Sequence, residues 1–152
     1  MDSVAILIPN RGLIARAISG LTDAQMLVIP DGHRNNILWN LGHIVVVEQL
    51  LHYKLSGLEP HIPNELIAQF KTGTSPADWA MPPDAGLIRS LLVDLPRELD
   101  ADFRAGRFTT FTAYTTTTGV TLYNFDDANS FNHFHEGVHT GIIMSMRKRV
   151  GQ

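Results

Sequence analysis

The 152-residue chain contains no cysteine. This absence removes disulfides, thiolate metal ligands and cysteine nucleophiles together, so any thiol chemistry has to arrive with a small molecule. Long apolar runs are also missing. The longest span about five residues, against the ~20 that cross a membrane, and Met1-Asp2-Ser3-Val4 does not open a basic-then-apolar leader. The expectation is a cytoplasmic protein with no membrane partner. Excess positive charge is absent as well: 12 Lys and Arg stand against 15 Asp and Glu, for a net charge of −3. The one basic cluster, Arg147-Lys148-Arg149, suits the negative end of a helix dipole better than a nucleic acid, so no nucleic-acid partner is expected. What remains is 44% hydrophobic, enough for a single core in a single domain spanning residues 1–152.

The chemically richest stretch is His133-Phe134-His135-Glu136-Gly137-Val138-His139. On a helix, residues i and i+4 lie about 40° apart around the axis and ~6 Å apart at their roots, so His135 and His139 can converge on one cation. Read literally, His135-Glu136-x-x-His139 is also the zinc-protease signature, which needs a further ligand, usually downstream. Only Thr140 to Gln152 follow, without an acid or a histidine, and Ser145 stands where the longer metzincin pattern places its third histidine. The protease reading fails, and a third protein ligand has to come from upstream: His33, His43, His52, His61 or a carboxylate.

Periodicity predicts four main helices. The first covers roughly residues 3–21, with Pro9 either kinking it or marking its start near Asn10. The second follows Pro30-Asp31-Gly32, is capped by Asn35 or Asn36 and runs through Leu55 to a stop at Gly57. Its middle, 41–51, is apolar all round except for His43, Glu48 and Gln49, which suggests burial against both the core and a second subunit. A Pro-, Gly- and Thr-rich connection over 58–83 holds one short helix near 64–70. The third main helix runs over about 84–104, with Leu87, Ile88, Leu91, Leu92, Leu95, Leu99 and Phe103 on one stripe and a kink at Pro96. Thr and aromatic residues over 108–123 predict a short extended strap, and the fourth helix starts near Asp126 or Asp127 and carries the histidines to the end of the chain. The fold class is all-α: a four-helix bundle with a long connection between helices two and three, an architecture whose interior commonly holds metals.

Within that frame His43 is the best third ligand. It sits in mid-helix beside Gly42, a residue that permits close approach, and faces the apolar body of the bundle. His52 lies about 180° around the same helix, His33 and His61 fall in loops, and His133 lies about 160° from His135. Glu136, offset about 100° from His135, reads as a partner behind a ligand, a general base acting through water, or a solvated helix acid. Asn40 and Asn132, each one turn before a ligand, either order a water or form polar helix edges.

Trp39-Asn40-Leu41-Gly42-His43, the terminal His135-Glu136-Gly137-Val138-His139-Thr140-Gly141, the 70–75 segment Phe-Lys-Thr-Gly-Thr-Ser and the Thr-rich strap together resemble the DinB/YfiT-like metal-binding proteins, named for DNA-damage-inducible expression and so linked to stress response. The resemblance extends over almost the whole chain. It implies a His43, His135 and His139 triad, a divalent ion such as nickel or zinc, a homodimer, and in many members transfer chemistry with a low-molecular-weight thiol.

Three neutral imidazoles leave a divalent ion its full charge and open positions, which suits activation of a thiol or of water. The expected functions are a thiol S-transferase acting on a small-molecule electrophile, a hydrolase of a small ester or amide using Glu136, or a non-catalytic metal-binding protein. Arg11, Lys71, Arg89 and Arg147 are the cations that could anchor an anionic thiol.

Overall fold

A computed structural model describes residues 3–150. The protein is mostly helical, with α1 Leu7–Ile18, α2 Asp23–Leu27, α3 Ile37–His52, α4 Asn64–Phe70, α5 Ala85–Arg104 and α6 Phe125–Val150, and a two-stranded antiparallel ribbon of β1 Tyr114–Thr115 and β2 Thr121–Leu122. Positions 1, 2, 151 and 152, and with them the start of the leader reading and the last residues expected in the fourth helix, lie outside the described residues. No helix among the described residues is long and apolar enough to cross a membrane.

Local chemistry accounts for the boundaries. Pro9 neither kinks the first helix nor moves its start to Asn10: a 3-10 turn over Val4–Ile6 leads into α1, and Pro9 occupies the first turn, where its missing N–H has no intrahelical partner to lose. The helix stops at Ile18 rather than Leu21, because Thr22 opens a separate short helix, α2. The Thr22 hydroxyl accepts from Gln25 N at 3.2 Å while the Gln25 side chain accepts from Thr22 N at 2.9 Å, a reciprocal capping box. Asn36 caps α3 by accepting from Trp39 N at 2.8 Å. Past His52 the chain tightens into a 3-10 turn over Lys54–Ser56 and stops at Gly57, whose φ of 72° favours glycine. Asp84 caps α5 through Leu87 N, which leaves Leu87 itself 44% exposed at the helix start rather than on the buried stripe. Asn124 caps α6 by accepting from Asp127 N at 2.9 Å, and Asp127 accepts in return from Tyr123 N.

Helix α3 packs on α4, α5 and α6, and α1 packs on α5 and α6. Every residue of α3 except Leu50 is buried. The apolar breadth of this helix is therefore used up within the chain and does not by itself call for a second subunit. The strap is tied to the end of α3 by Thr110 Oγ1 donating to Ser56 O at 2.7 Å and Thr112 N donating to Leu55 O at 2.6 Å. Its Leu122 packs with Val47, Leu51 and Ala128, which lays the ribbon beside the junction of α3 and α6.

Candidate metal centre

Three histidines from two facing helices meet at this junction. His43 projects from α3, and His135 and His139 project from α6; one ring nitrogen of each lies within 4.8 Å of the other two. His135 Nε2 is 3.1 Å from His43 Nε2. Ligand bonds of 2.0–2.1 Å at a tetrahedral angle place nitrogens about 3.3 Å apart, so the cluster fits a single transition-metal ion after modest side-chain rotation.

The surroundings decide which nitrogen each ring offers. His43 Nδ1 donates to Phe70 O at 2.6 Å, which turns the Nε2 lone pair toward the cluster. The Asn40 amide is oriented by its own bond to Asn36 O at 2.8 Å, so its oxygen accepts from His139 Nδ1 at 2.8 Å. His139 Nε2 is then an acceptor as well. Such outer partners fix tautomer and ring plane in metal sites. His135 differs: its Nδ1 is buried without a hydrogen-bond partner. Burial is the chief cause holding all three rings below the usual histidine range, His135 at about 3 and His139 at about 4, with the neighbouring imidazoles adding to the effect at those two. Neutral imidazoles with inward lone pairs form a donor set suited to a cation.

The crossover between α4 and α5 supports His43 from behind. Trp39 stacks on it, with ring centroids 4.5 Å apart and planes 13° apart. The Trp39 indole N–H donates to Thr74 Oγ1 at 3.0 Å, and Thr74 donates to Lys71 O at 2.8 Å. Phe70, whose carbonyl holds His43, presses its ring against Gly42 so closely that a Cβ there would overlap it. The close approach expected at Gly42 is thus made by the residue that orients the adjacent ligand.

Glu136 faces another way. Only 2% exposed, it takes both hydrogen bonds of a fork from Arg11, Nε to Oε2 and Nη2 to Oε1 at 2.7 Å each, and a third from Asn132 at 2.9 Å. It is not a solvated helix acid. Arg11 also donates to Glu48 Oε2 at 3.0 Å and to Leu92 O at 3.3 Å. The Leu92 carbonyl is available because Pro96, four residues on, has no N–H to offer it. Burial pushes the Glu48 carboxyl up to about 7 against the pull of Arg11.

The other histidines stay apart from the cluster. His52 is buried against Phe125 with Nδ1 on Glu48 O, His61 pairs with Glu98, and His133 bonds Ser3 O. His33 lies in the turn before α3, its N–H on Pro30 O. Three of the four cations expected as anion anchors are also held away from the cluster. Arg11 is fully buried, Arg89 binds the carbonyls of Ile18 and Leu21, and Arg147 lies beside Gly20 and Gln25. Lys71 is exposed on the crossover beside Thr72.

A cavity of about 460 Å³ opens over the three histidines, walled by Val47, Leu50, Leu51, Leu55 and Phe131 and rimmed by Thr72, Tyr114, Thr116, Thr117 and Lys54. Lys54 is a site residue that the motifs do not point to. The spacing 43, 47, 50, 51, 54 along one helical face was the signal that could have revealed it.

Two facing helices thus present three neutral imidazoles to a cavity, an arrangement that could hold a metal ion. A family model described as the DinB superfamily matches residues 8–143, and the chain belongs to that superfamily. No curated protein matches the chain.

Proposed function

We propose that this DinB-superfamily chain is a cytoplasmic four-helix bundle, a single domain over 1–152, that binds nickel or zinc through His43, His135 and His139 and transfers a low-molecular-weight thiol to a small electrophile. The ring of contacts α1–α5–α3–α6 supports the bundle. The observation that carries the activity is the set of inward Nε2 lone pairs at His43 and His139 beneath a cavity of small-molecule size. A divalent ion held there would supply Lewis acidity, favouring the thiolate of a bound thiol near neutral pH. Phe70 O and Asn40 keep two ligands in the required tautomer, Trp39 holds the plane of the His43 ring, and the apolar walls exclude competing water around the electrophile.

A hydrolase would need a base at the same centre. Glu136, the residue expected to serve, has its carboxylate on Arg11 and Asn132, which favours a supporting role for it and favours thiol over water as the nucleophile. The cavity above the histidines favours a reactive site over a closed storage site. Free-thiol depletion in mixtures of zinc- or nickel-loaded protein, a small thiol and an alkyl halide tests the reading. Acceleration by the wild type and its loss in His135→Ala is the expected outcome; equal rates with and without protein over a panel of thiols would count against transfer chemistry.

The homodimer is proposed to form on α6, where Phe134 is 59% and Val138 46% exposed one turn apart, next to Gly137 and Gly141, which leave open space beside the backbone. Light scattering is expected to give twice the chain mass for the wild type and a monomer for Phe134→Glu; a wild-type monomer at micromolar concentration contradicts it.

A further inference from the structure

His43, Val47, Leu50, Leu51 and Lys54 all line the cavity. Their spacing of four, three or four, and three or four residues is that of one face running along α3 into the following 3-10 turn. Along this face His43 is 5%, Val47 9% and Leu51 5% exposed, Leu50 is half-buried and Lys54 is exposed. The face therefore runs from a deep polar end at the histidines, across an apolar middle, to a cation at the mouth.

Lys54 is the only charged side chain in that lining, since the imidazoles are held neutral and no acid borders the cavity. Among the described residues no carboxylate pairs with it. A surface lysine is ordinarily solvated and uninformative. This one stands at the mouth of a cavity with an apolar middle, where an incoming anion meets no competing carboxylate.

Residues 43 and 54 are eleven positions apart, about 16 Å of helical rise. Lys54 and His43 therefore mark the two ends of an elongated space rather than one point.

We propose that the cavity takes a small amphipathic organic anion, its charge at Lys54, its apolar body along Val47, Leu50 and Leu51, and its reacting atom at the histidines. This substrate class rests on the reading of the histidine cluster as the working centre, but the anion-binding half of it can be measured separately.

Titration calorimetry with 1-hexanesulfonate, a poor metal ligand, and neutral 1-hexanol makes that separation, run on zinc-loaded and chelated protein with metal content measured in the same samples. Lys54→Met keeps the apolar stem and Lys54→Arg restores the charge. The sulfonate is expected to bind the wild type and Lys54→Arg alike and Lys54→Met roughly three- to tenfold more weakly, with hexanol unchanged across the three. Leu50→Trp, which fills the middle of the cavity, is expected to weaken both probes. Equal sulfonate affinity for wild type and Lys54→Met, or sulfonate binding insensitive to Leu50→Trp, overturns the proposal even if the protein holds zinc. Discrimination at Lys54 in a protein that retains no metal would support the anion site and overturn the transfer chemistry instead.

Discussion

Residues 135 and 136 are neighbours on α6 and are treated in opposite ways. His135 joins two other imidazoles in a cluster that is neutral, borders a cavity and has a buried nitrogen without a partner. Glu136 joins Arg11 and Glu48 in a cluster that is charged and closed from solvent. Each carboxylate oxygen there accepts a hydrogen bond, the last from Gln49 to Glu48 at 3.0 Å. The difference separates two uses of buried polarity. A saturated charged cluster fixes how α1, α3 and α6 meet, whereas an unsaturated neutral one leaves nitrogen lone pairs that could take a ligand.

The largest way to break the comparison is Arg11→Met. Two buried carboxylates would lose their shared cation, and a destabilisation of roughly 3–5 kcal/mol is expected in urea unfolding of chelated protein. A loss below about 1 kcal/mol would mean that the network does little for the fold. His43→Ala acts on the other cluster. It should remove the stabilisation that saturating metal adds, about 2.7 kcal/mol at a hundredfold excess over Kd, while changing the chelated protein much less. An equal loss with and without metal would make His43 an ordinary core residue.

Gly42→Ala sharpens the contrast, because it leaves all three ligands in place and displaces only the Phe70 that orients one of them. Metal affinity is expected to fall about 10–100-fold by competition with a chromophoric chelator; unchanged affinity would show that the Phe70 carbonyl does not tune the site. The smallest effect concerns acid. Burial holds His52 at about 4 in the folded protein, against ~6.5 when unfolded. Because the folded value is depressed, the unfolded chain takes up the proton first, and stability present above about 6.5 is lost as pH falls toward 4. In chelated protein the fall between pH 7 and pH 5 should be about 1–2 kcal/mol less steep in His52→Gln than in the wild type; parallel pH profiles would remove His52 from the account.

Features with a local cause were legible in the sequence. Asn36 before a long apolar run, Asp84 before another, Gly57 after a helix and the isolated 64–70 helix all declare themselves within one or two turns, and all lie where the spacing predicts. The Thr22-x-x-Gln25 box is equally local, and it ends the first helix at Ile18 where apolar spacing alone extends it to Leu21. The histidine cluster was readable because i, i+4 spacing on α6 limits the third ligand to a residue facing it. What escaped were pairings made only by the tertiary fold. Arg11 and Glu136 are separated by 125 positions, and nothing near either residue names its partner, although a charge within an apolar stretch already demands one. Lys54 shares a helical face with His43 in the sequence, but the cavity beside it is completed by residues of the strap, Tyr114, Thr116 and Thr117.

Metal stoichiometry tests the central claim most directly. Tag-free wild type and His43→Ala, dialysed side by side against trace nickel and zinc and then against metal-free buffer, are analysed for bound metal by elemental analysis. About one ion per wild-type chain, lost or sharply reduced in the variant, is the expected result for a centre spanning α3 and α6. No bound metal in either protein would contradict it, leaving the three histidines as structural residues and the proposed transfer without its activating group.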